Sequence, residues 1–399
     1  MKEVYIVDIT RTAVGKFGGT LASARPDDLA ARVITSLIER NPNLPTEKID
    51  EVILGAANQA GEDNRNVARM ATLLANLPMH IPGYTVNRLC ASGLQSIQNA
   101  FMAIKSGQAD IIIAGGTESM TRAPFVMAKA ENAYSRIPEI HDTTIGWRFT
   151  NLALSALHHP YSMGETAENV AEKYGITRDA QDEFAYQSQL KWKNAQEKGA
   201  FKNEITTVSI PQRKKDPIEF KTDEHPRLST LDVLSTLKPA FKNGGTVTAG
   251  NSSGINDGAA ACIVVSETAL KEYNLTPMAR VVSIGVAGVD PAYMGIGPVP
   301  ATRIALKRAS ITLNDLDVME LNEAFAAQVL ACVKELDADI GKINLNGGSI
   351  AIGHPLGASG TRISATLLHQ MAKNESFKYG LATMCIGVGQ GSAIIYERC

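Results

Sequence analysis

Short apolar runs alternate with amphipathic stretches along most of the chain. Several runs have the length and the β-branched content of buried strands. These predicted strands are VYIVDI, VILGAA, DIIIAGG, ACIVVS, RVVSIGVAG, INLNGG, LATMCIG and SAIIYER. After VNRLC, apolar residues recur instead every three or four positions, at Leu94, Ile97, Phe101 and Ile104, which is the spacing of a helix with one buried face. The alternation predicts an α/β protein built from layers.

One long segment breaks this alternation. Residues 124–245 carry much of the Lys, Glu, Asn and Pro and both tryptophans. Two stretches within it, GETAENVAEKYG and RDAQDEFAYQSQLKWKNAQEKG, have helical character. We interpret the segment as a large insertion that lies over a site. A later stretch, SETALKEYNLTPMAR, is predicted to link two halves, with Pro277 at the restart.

A faint internal repeat supports the two halves. The stretches CASGLQSIQNAFMAIKSGQADIIIAGG and GASGTRISATLLHQMAKNESFKYGLATMCIG each begin a helix with Ala-Ser-Gly and continue into an apolar strand and a glycine turn. The match predicts a duplicated unit.

Composition narrows the class of protein. The chain has 399 residues, 44% hydrophobic and 20% charged, which is ordinary for a globular protein with two or more domains. A net charge of −2 gives no electrostatic reason to expect nucleic acid or a membrane as partner. The N-terminus enters a strand at once, and the five cysteines contain no C-x-x-C pair. We therefore expect a cytoplasmic protein with reduced thiols and no metal site.

Cys90 is predicted to lie at or just before the first turn of a helix. Free backbone N–H groups and the helix dipole at such a position lower the pKa of a thiol and favour the thiolate. The small neighbours Ala91, Ser92 and Gly93 leave room for an acyl group. An isolated cysteine is more often an apolar packing residue, and position alone leaves both interpretations open.

Three further segments place reactive side chains at predicted strand ends or helix starts, where α/β proteins assemble sites. His354 lies in a rigid glycine-proline loop that suits a general base, although most histidines are surface or core residues. Asn322, with Glu323, follows an apolar run at a predicted helix N-cap, where simple capping is the alternative role. Cys385 ends a predicted strand, and the glycines after it free the backbone to turn its N–H groups inward.

Six motifs in order carry a resemblance to the thiolase family over essentially the whole chain. They are NRLCASGLQSI, AGGTESMTRAPF, TAGNSSGINDGAA, ELNEAFAAQ, NGGSIAIGHPLGASG and CIGVGQG. The resemblance implies two βαβαβαββ halves in an α/β/α/β/α arrangement with an inserted loop domain. We expect the first half at residues 1–268, its loop domain at about 120–250, and the second half at 275–399.

The resemblance also implies roles for individual residues. Cys90 would be the acyl-accepting nucleophile, His354 its base, and Cys385 the acid/base at the α-carbon of acetyl-CoA. Asn322, through a water, and His354 would stabilise an enolate oxygen. The N–H groups of Cys90 and Gly387 would hold the oxyanion of the acyl-enzyme.

Substrate contacts follow from the same resemblance. Coenzyme A would be a co-substrate, with no permanently bound cofactor and no metal. The chain would form a homo-oligomer, either a dimer or a homotetramer. The implied CoA contacts are Ser253, Gly254 and Ala249, and the implied acyl contacts are Met163 and Phe325.

Within the family, ANQAGEDNRNVARMATLLANLP, DTTIGWRF and CIGVGQG resemble members that cleave 3-oxoadipyl-CoA in aromatic-acid degradation. Acetoacetyl-specific members typically have His before Met in the loop domain, whereas Ser162 precedes Met163 here. A dicarboxylic substrate needs a cation for its free carboxylate. We expect Arg148 in that role, with Arg136 and His141 as substitutes. The alternative is a general 3-ketoacyl-CoA or acetoacetyl-CoA thiolase.

Three other functions are weaker alternatives. GNSSG fits the G-x-S-x-G turn of serine hydrolases, but an apolar strand follows it too soon for the required helix. A condensing synthase loaded by acyl carrier protein would not need the second cysteine. A non-catalytic lipid carrier is expected to lack part of the Cys–His–Cys trio.

Overall fold

The computed structural model describes residues 2–399, which form fifteen strands and twelve α-helices. The strands are β1 (Val4–Thr12), β2 (Gly15–Lys16), β3 (Glu51–Gly55), β4 (Gly83–Val86), β5 (Ile111–Ser119), β6 (Phe125–Met127), β7 (Ile140–Asp142), β8 (Ile205–Thr206), β9 (Val208–Gln212), β10 (Lys215–Phe220), β11 (Asn256–Ser266), β12 (Ala279–Gly288), β13 (Val318–Leu321), β14 (Tyr379–Ile386) and β15 (Gln390–Arg398). The helices are α1 (Pro26–Arg40), α2 (Val67–Leu74), α3 (Ser92–Lys105), α4 (Leu152–Leu157), α5 (Met163–Tyr174), α6 (Arg178–Glu197), α7 (Leu231–Ser235), α8 (Glu267–Glu272), α9 (Pro298–Ala309), α10 (Ala326–Leu336), α11 (Ser349–Ile352) and α12 (Leu356–Lys373).

The main sheet joins two halves. Its strand order is β13-β14-β15-β12-β1-β11-β5-β3-β4. The pairs β3–β4, β3–β5 and β13–β14 are parallel, and the other neighbours along this order are antiparallel. Only Tyr5 and Ile6 of β1 pair with β12, so the two halves meet through a short seam of backbone hydrogen bonds.

Two helices lie between the halves. Helix α12 contacts β5 and β11 of the first half and β13 and β14 of the second. Helix α3 packs beside it. Helices α1 and α2 pack against first-half strands, and α9 packs against β12 and β15 of the second. This arrangement confirms the predicted α/β/α/β/α layers, with α3 and α12 as the central layer.

The two Ala-Ser-Gly copies lie where α3 and α12 touch. A Cβ atom on Gly93 would lie 2.7 Å from the carbonyl oxygen of Gly357 and 2.8 Å from Oγ1 of Thr361. A Cβ atom on Gly360 would overlap the backbone nitrogen of Leu94. The repeat therefore has a packing reason, because each helix presents a glycine to the backbone of the other.

The segment between β5 and β11 contains helices α4 to α7 and strands β6 to β10, and its strand β8 pairs with β1 of the main sheet. Helix α5 begins with a capping box between Ser162 and Glu165 and ends at Gly175 in the left-handed conformation. Helix α6 begins at the N-cap Thr177. Both helices pack against α10 of the second half, which places the insertion beside the strand ends of both halves.

Two predictions of local structure are wrong. INLNGG is not a strand, because the side chain of Asn344 exchanges hydrogen bonds with the backbone of Leu321 where a ladder would run. Asn322 is not a helix N-cap, since α10 starts later, with Phe325 as its N-cap. The predicted linker does connect β11 to β12, and it contains the short helix α8. Within residues 2–399, no helix has both the length and the apolarity needed to cross a bilayer.

Candidate active site

Cys90 follows a strained turn between β4 and α3. Leu89 has a φ of 46°, a region that side chains with a Cβ rarely adopt. The hydroxyl of Ser92 holds this turn, because its Oγ accepts from the backbone N–H of Arg88 at 2.9 Å and donates to the carbonyl of Leu89 at 2.7 Å. Helix α3 then begins at Ser92, so Cys90 lies just before the first turn as predicted.

Cys90 opens into a largely apolar cavity of about 540 Å³. The cavity is lined by Cys90, His354 and Cys385, the three residues that the resemblance predicts to react. Five further residues that the sequence predicts as substrate contacts also line it: Met163, Ala249, Ser253, Gly254 and Phe325. Residues separated by most of the chain thus converge on one cavity.

The predicted direction of the Cys90 pKa is wrong. Desolvation in the enclosed site raises the pKa of the thiol above its ordinary value, although hydrogen bonds from the backbone N–H groups of Gly387 and of Cys90 itself oppose the rise. Desolvation therefore raises the pKa of Cys90 by more than the hydrogen bonds at the start of the helix lower it. The resting nucleophile is a neutral thiol that needs a base.

His354 reaches the cavity from a tightly held loop. Gly353 has a φ of 113°, and a Cβ atom there would lie 2.6 Å from the side-chain carbon of Asn256. The amide oxygen of Asn256 accepts from the backbone N–H of His354 at 2.9 Å, and its Nδ2 donates to Gly15. Only glycine fits at this position, and the loop fixes the imidazole against the first half.

The hydrogen bonds of His354 determine its tautomer. Nδ1 lies 2.6 Å from Oγ of Ser359, and this hydroxyl donates its own proton to the carbonyl of Pro355. Nδ1 must therefore carry the hydrogen, which leaves Nε2 free to accept a proton. Burial, with a smaller contribution from Arg362, lowers the pKa of His354 to about 3. The side chain is a neutral base at physiological pH.

Asn322 lies beside this base. Its Nδ2 is 3.4 Å from Nε2 of His354, and its Oδ1 accepts from the hydroxyl of Ser349 at 2.6 Å. Glu323, the next residue, is buried and accepts hydrogen bonds from Ser188, Asn344 and the backbone of Ile350. Glu323 thus holds the loop that leads to His354, and Asn322 offers an N–H at the active site.

Cys385 and Gly387 come from the end of β14 and the turn after it. Burial, and then the neighbouring Cys90, raise the pKa of Cys385 well above its ordinary value, so this thiol keeps its proton. Gly387 turns its N–H toward the Cys90 sulfur. The site therefore contains the Cys90 thiol as a candidate nucleophile and the Cys385 thiol as a candidate proton donor. The backbone N–H groups of Cys90 and Gly387 lie at the Cys90 sulfur.

Glu118 ties the His354 loop to the first half. Its carboxyl accepts from the backbone N–H groups of Ala57, Asn58 and Gly357 at 2.8–3.1 Å. Desolvation raises its pKa to about 7 in spite of these donors. No sequence pattern predicted these hydrogen bonds, because a glutamate at the end of an apolar strand does not indicate which backbone groups it will contact.

Arg148 does not reach the cavity wall, which corrects its predicted role. Ile145 and Gly146 line the cavity, but the chain turns at Gly146, with a φ of 92°, and again at Phe149, with a φ of 50°. The substitutes Arg136 and His141 do not line the cavity either; Arg136 is exposed and His141 contacts Glu139 and Phe149.

Sequence reasoning missed several wall residues. Lys16 lies in the short strand β2, and Arg227 donates to the carbonyl of Ala249 at 2.6 Å. Burial, then Arg227, lower the pKa of His225 to about 4, so this histidine is neutral. Lys16 comes from a strand of only two residues and the other two from irregular segments, so no local pattern could have indicated them. Phe241 and Met294, which the sequence did not predict either, also line the cavity.

The geometry of GNSSG does not suit a serine nucleophile. The hydroxyl of Ser252, its central residue, is buried and donates to the carbonyl of Thr248 at 2.7 Å. Strand β11 follows, where a nucleophile elbow requires a helix. The backbone N–H of Ser253 donates to the carbonyl of Ala324, which packs this turn onto the loop after β13.

Known proteins match this chain in sequence and in fold. The family models for the thiolase N-terminal domain and the thiolase C-terminal domain match residues 4–268 and 275–398. A beta-ketoadipyl-CoA thiolase of Acinetobacter baylyi is 54% identical, and a 3-oxoadipyl-CoA/3-oxo-5,6-dehydrosuberyl-CoA thiolase of Escherichia coli is 53% identical, each alignment covering all of both chains. The crystal structure of human mitochondrial 3-ketoacyl-CoA thiolase in complex with CoA matches with a TM-score of 0.92 and 41% identity, covering 100% of this chain and 98% of that one. The chain therefore belongs to the thiolase family.

Proposed function

We propose that the protein cleaves 3-oxoacyl-CoA with CoA, giving acetyl-CoA and a shortened acyl-CoA, and that its substrate is 3-oxoadipyl-CoA. As a thiolase it is an acyltransferase, and the reverse reaction is a Claisen condensation. The observation that supports the mechanism best is the convergence of two thiols and a neutral imidazole on one cavity.

The first half-reaction begins with proton transfer. Nε2 of His354 takes the proton of Cys90, and the thiolate attacks the C3 carbonyl carbon of the substrate. The bond between C2 and C3 then breaks, and its electron pair stays on acetyl-CoA as the enolate. Cys385 donates its proton to C2, which releases acetyl-CoA and leaves the acyl group on Cys90.

Two groups of donors stabilise the negative charges that develop. The N–H groups of Cys90 and Gly387 face the oxyanion formed at the acyl-enzyme carbon. Asn322, through a water, and His354 face the enolate oxygen. Each well-placed donor in such a site contributes on the order of 3 kcal/mol to the transition state.

The second half-reaction returns the enzyme to its starting state. The Cys385 thiolate first recovers a proton from His354, which restores the neutral imidazole. CoA then enters, gives its thiol proton to Nε2 of His354, and attacks the acyl carbon on Cys90. The thioester bond to Cys90 breaks as the new one to CoA forms, and the Cys90 sulfur takes the proton back from His354. We assign Ser253, Gly254 and Ala249 to the pantetheine arm, with Met163, Phe325 and Met294 around the acyl group. No permanently bound cofactor takes part in these steps.

The choice of 3-oxoadipyl-CoA rests on two observations. Full-length relatives at 53–54% identity are named for this substrate. The wall also carries two cations, Lys16 and Arg227, in an otherwise apolar cavity, and either could pair with a terminal carboxylate. We replace Arg148 with these two residues in that role. A general 3-ketoacyl-CoA or acetoacetyl-CoA thiolase remains the alternative function.

A substrate panel tests the proposal. Purified protein is given CoA and 3-oxoadipyl-CoA, acetoacetyl-CoA or 3-oxohexanoyl-CoA, and loss of the enolate absorbance is followed. We expect the highest kcat/KM for 3-oxoadipyl-CoA. An equal or higher kcat/KM for acetoacetyl-CoA or 3-oxohexanoyl-CoA, whose acyl chains carry no carboxylate, would favour the alternative function. No turnover of any of the three substrates would contradict a thiolase reaction.

We also propose a homo-oligomer, a dimer or a tetramer, in the cytoplasm. Exposed apolar side chains are concentrated in the insertion, among them Phe125, Met127, Tyr134, Ile137 and Leu152, and such clusters mark interaction surfaces. A reaction that needs two free thiols suits a reducing compartment. Light scattering during gel filtration gives the mass; a monomer at micromolar concentration would contradict the proposal.

A further inference from the structure

Arg362 lies in α12 behind the active site, with 1% of its side chain exposed. Its Nη2 donates to Oγ of Ser349 at 2.5 Å. Within residues 2–399, Nε and Nη1 of this arginine have no hydrogen-bond partner. The carboxyl of Glu320 lies 3.8 Å from Nη1, which is too long for a hydrogen bond. A buried guanidinium with one hydrogen bond is costly, so stability alone does not explain it.

Arg11 shows how a buried arginine is satisfied in the same interior. Its guanidinium bonds Glu204 at 2.7 Å and Asp223 at 2.7 and 3.1 Å, and a fourth hydrogen bond goes to the backbone of Thr12. Arg362 has no such pairing. Burial raises the pKa of Glu320 to about 8, so at neutral pH this carboxyl is mostly protonated and does not balance the charge of Arg362.

The single hydrogen bond of Arg362 leads to the reaction centre. An arginine can only donate, so Oγ of Ser349 accepts from it and directs its own proton to Oδ1 of Asn322, 2.6 Å away. The amide of Asn322 then has its oxygen on the Ser349 side and its Nδ2 on the side of His354 Nε2, at 3.4 Å. A continuous series of contacts thus runs from the guanidinium of Arg362 through Ser349 and the Asn322 amide to Nε2 of His354.

We infer that Arg362 is a positioning residue for the enolate step, acting through Ser349 to hold the Asn322 amide with its N–H toward the substrate. This inference rests on the proposed role of Asn322. If the amide rotated by half a turn, its oxygen would replace the N–H that faces Nε2 of His354 and the bridging water, and the water would lose the donor that orients it toward the enolate oxygen. Arg362 also places a positive charge behind the donors where negative charge develops.

The acyl-transfer step does not use this chain. The oxyanion of the acyl-enzyme is held by the N–H groups of Cys90 and Gly387, and the latter comes from the turn after β14. Loss of Arg362 should therefore damage enolate chemistry more than acyl transfer. A residue with a purely structural role would affect both in parallel.

Two exchange reactions of acetyl-CoA separate these steps. Transfer of the acetyl group from acetyl-CoA to Cys90 and back to labelled CoA reports acyl transfer. Deuterium uptake at the methyl carbon of acetyl-CoA in D₂O reports enolate formation. Both are measured for the wild type, Arg362→Met, Arg362→Lys, Ser349→Ala and the control Ser364→Ala, which removes a buried hydroxyl of α12 that bonds Gly360 and Tyr396.

We expect Arg362→Met and Ser349→Ala to lose deuterium uptake on the order of tenfold to a hundredfold, below the loss of roughly 10²–10³-fold for removal of an oxyanion donor itself. Label exchange should change only a few-fold, Arg362→Lys should recover part of the loss, and Ser364→Ala should behave as the wild type. If Arg362→Met does not fold, Ser349→Ala decides.

Equal losses in both exchange reactions, or no loss in Ser349→Ala, would overturn the inference and leave the proposed function intact. A wild-type protein that catalyses neither exchange would instead overturn the proposed function. Acetyl-CoA is used because the outcome then does not depend on which acyl chain the enzyme prefers.

Discussion

Nδ1 of His354 lies 2.6 Å from Oγ of Ser359, five residues later in the chain. Because that hydroxyl already donates to the carbonyl of Pro355, the imidazole must be the donor in this pair. The base thus reaches the cavity with its proton-accepting nitrogen exposed before any substrate arrives. One hydroxyl in the first turn of α12 determines the chemical form of the base.

Ser359→Ala should lower kcat/KM by at least about tenfold with little change in Tm, because the tautomer with an unprotonated Nε2 is no longer favoured. The loss should stay below the roughly 10⁴-fold found when the carboxylate that orients a triad histidine is replaced by an amide. Thiolysis kinetics and a thermal melt measure the two effects. Ser364→Ala, on the same helix, is the matched control, and equal losses in the two variants would argue against a tautomer effect.

The rate of Cys90 alkylation should rise steadily with pH. Desolvation raises the pKa of this thiol, and the pKa of His354, at about 3, leaves that residue uncharged, so no stable thiolate–imidazolium pair forms in the free enzyme. Inactivation by iodoacetamide should increase from pH 6 to beyond about 8.5, the ordinary pKa of a cysteine. Acyl-CoA should protect the enzyme.

A plateau of the alkylation rate below pH 7 would contradict this expectation, since it would reveal a thiolate already formed at neutral pH. Mass spectrometry of the modified peptide shows whether Cys90 is the residue that reacts. Cys399, the exposed cysteine, serves as an internal reference for a thiol outside the cavity.

Cys385→Ala should separate the two half-reactions. The variant keeps Cys90 and His354 and should still accept an acetyl group from acetyl-CoA, but it lacks the proton donor for the α-carbon. A general acid or base of this kind contributes roughly 10²–10⁴-fold, and α-proton exchange should fall by that factor. Cys262→Ala, which removes a buried thiol within β11, is the control and should retain both activities. Full α-proton exchange in Cys385→Ala would assign the proton to another group.

Glu118 should make the folded state less stable as the pH rises. Its pKa is raised from an ordinary 4.5 to about 7, so between these values the folded protein holds a proton that the unfolded chain does not. The associated stability is fully present below pH 4.5 and is lost as the pH rises through 7. The full effect is on the order of 3 kcal/mol.

The variant Glu118→Gln should lack this dependence. Urea denaturation at pH 5, 6, 7 and 8 gives the free energy of unfolding of both proteins, and the gap between them should narrow or reverse as the pH rises. Glu320, whose pKa is also raised, is present in both and cancels in the comparison. Parallel curves for the two proteins would show that Glu118 does not titrate in this range.

The sequence pattern predicts the layers, the repeat and the reactive residues because each leaves a local trace. Strand periodicity indicates β1, β5 and β11, and the Ala-Ser-Gly copies mark the starts of α3 and α12. The glycine-rich loops that carry His354 and Cys385 are readable because close backbone approach requires small residues.

Other features depend on contacts between distant segments and leave no such trace. The pKa of Cys90 depends on how completely the cavity excludes water, which the sequence near residue 90 does not encode. Arg148 lies in a segment with the right composition, but it is not among the residues that line the cavity. Lys16 reaches the wall from a strand of two residues, and Arg227 reaches it from an irregular segment. In the sequence, Arg362 looks like a polar residue on the exposed face of an amphipathic helix. In the structure α12 lies between both halves, so this side chain is buried.

Gly93 and Gly360 limit how the two halves can be separated, because each leaves no room for a Cβ atom against the facing helix. Each half supplies only part of the reaction centre, and the parts are aligned at these close approaches, where a misplaced partner would clash. A chain cut near Pro277 would yield two fragments, neither with a complete centre. Mixing the two fragments should restore activity only if they dock to within a fraction of an ångström of their positions in the intact chain. The two halves therefore have to fold and pack together to form the active site.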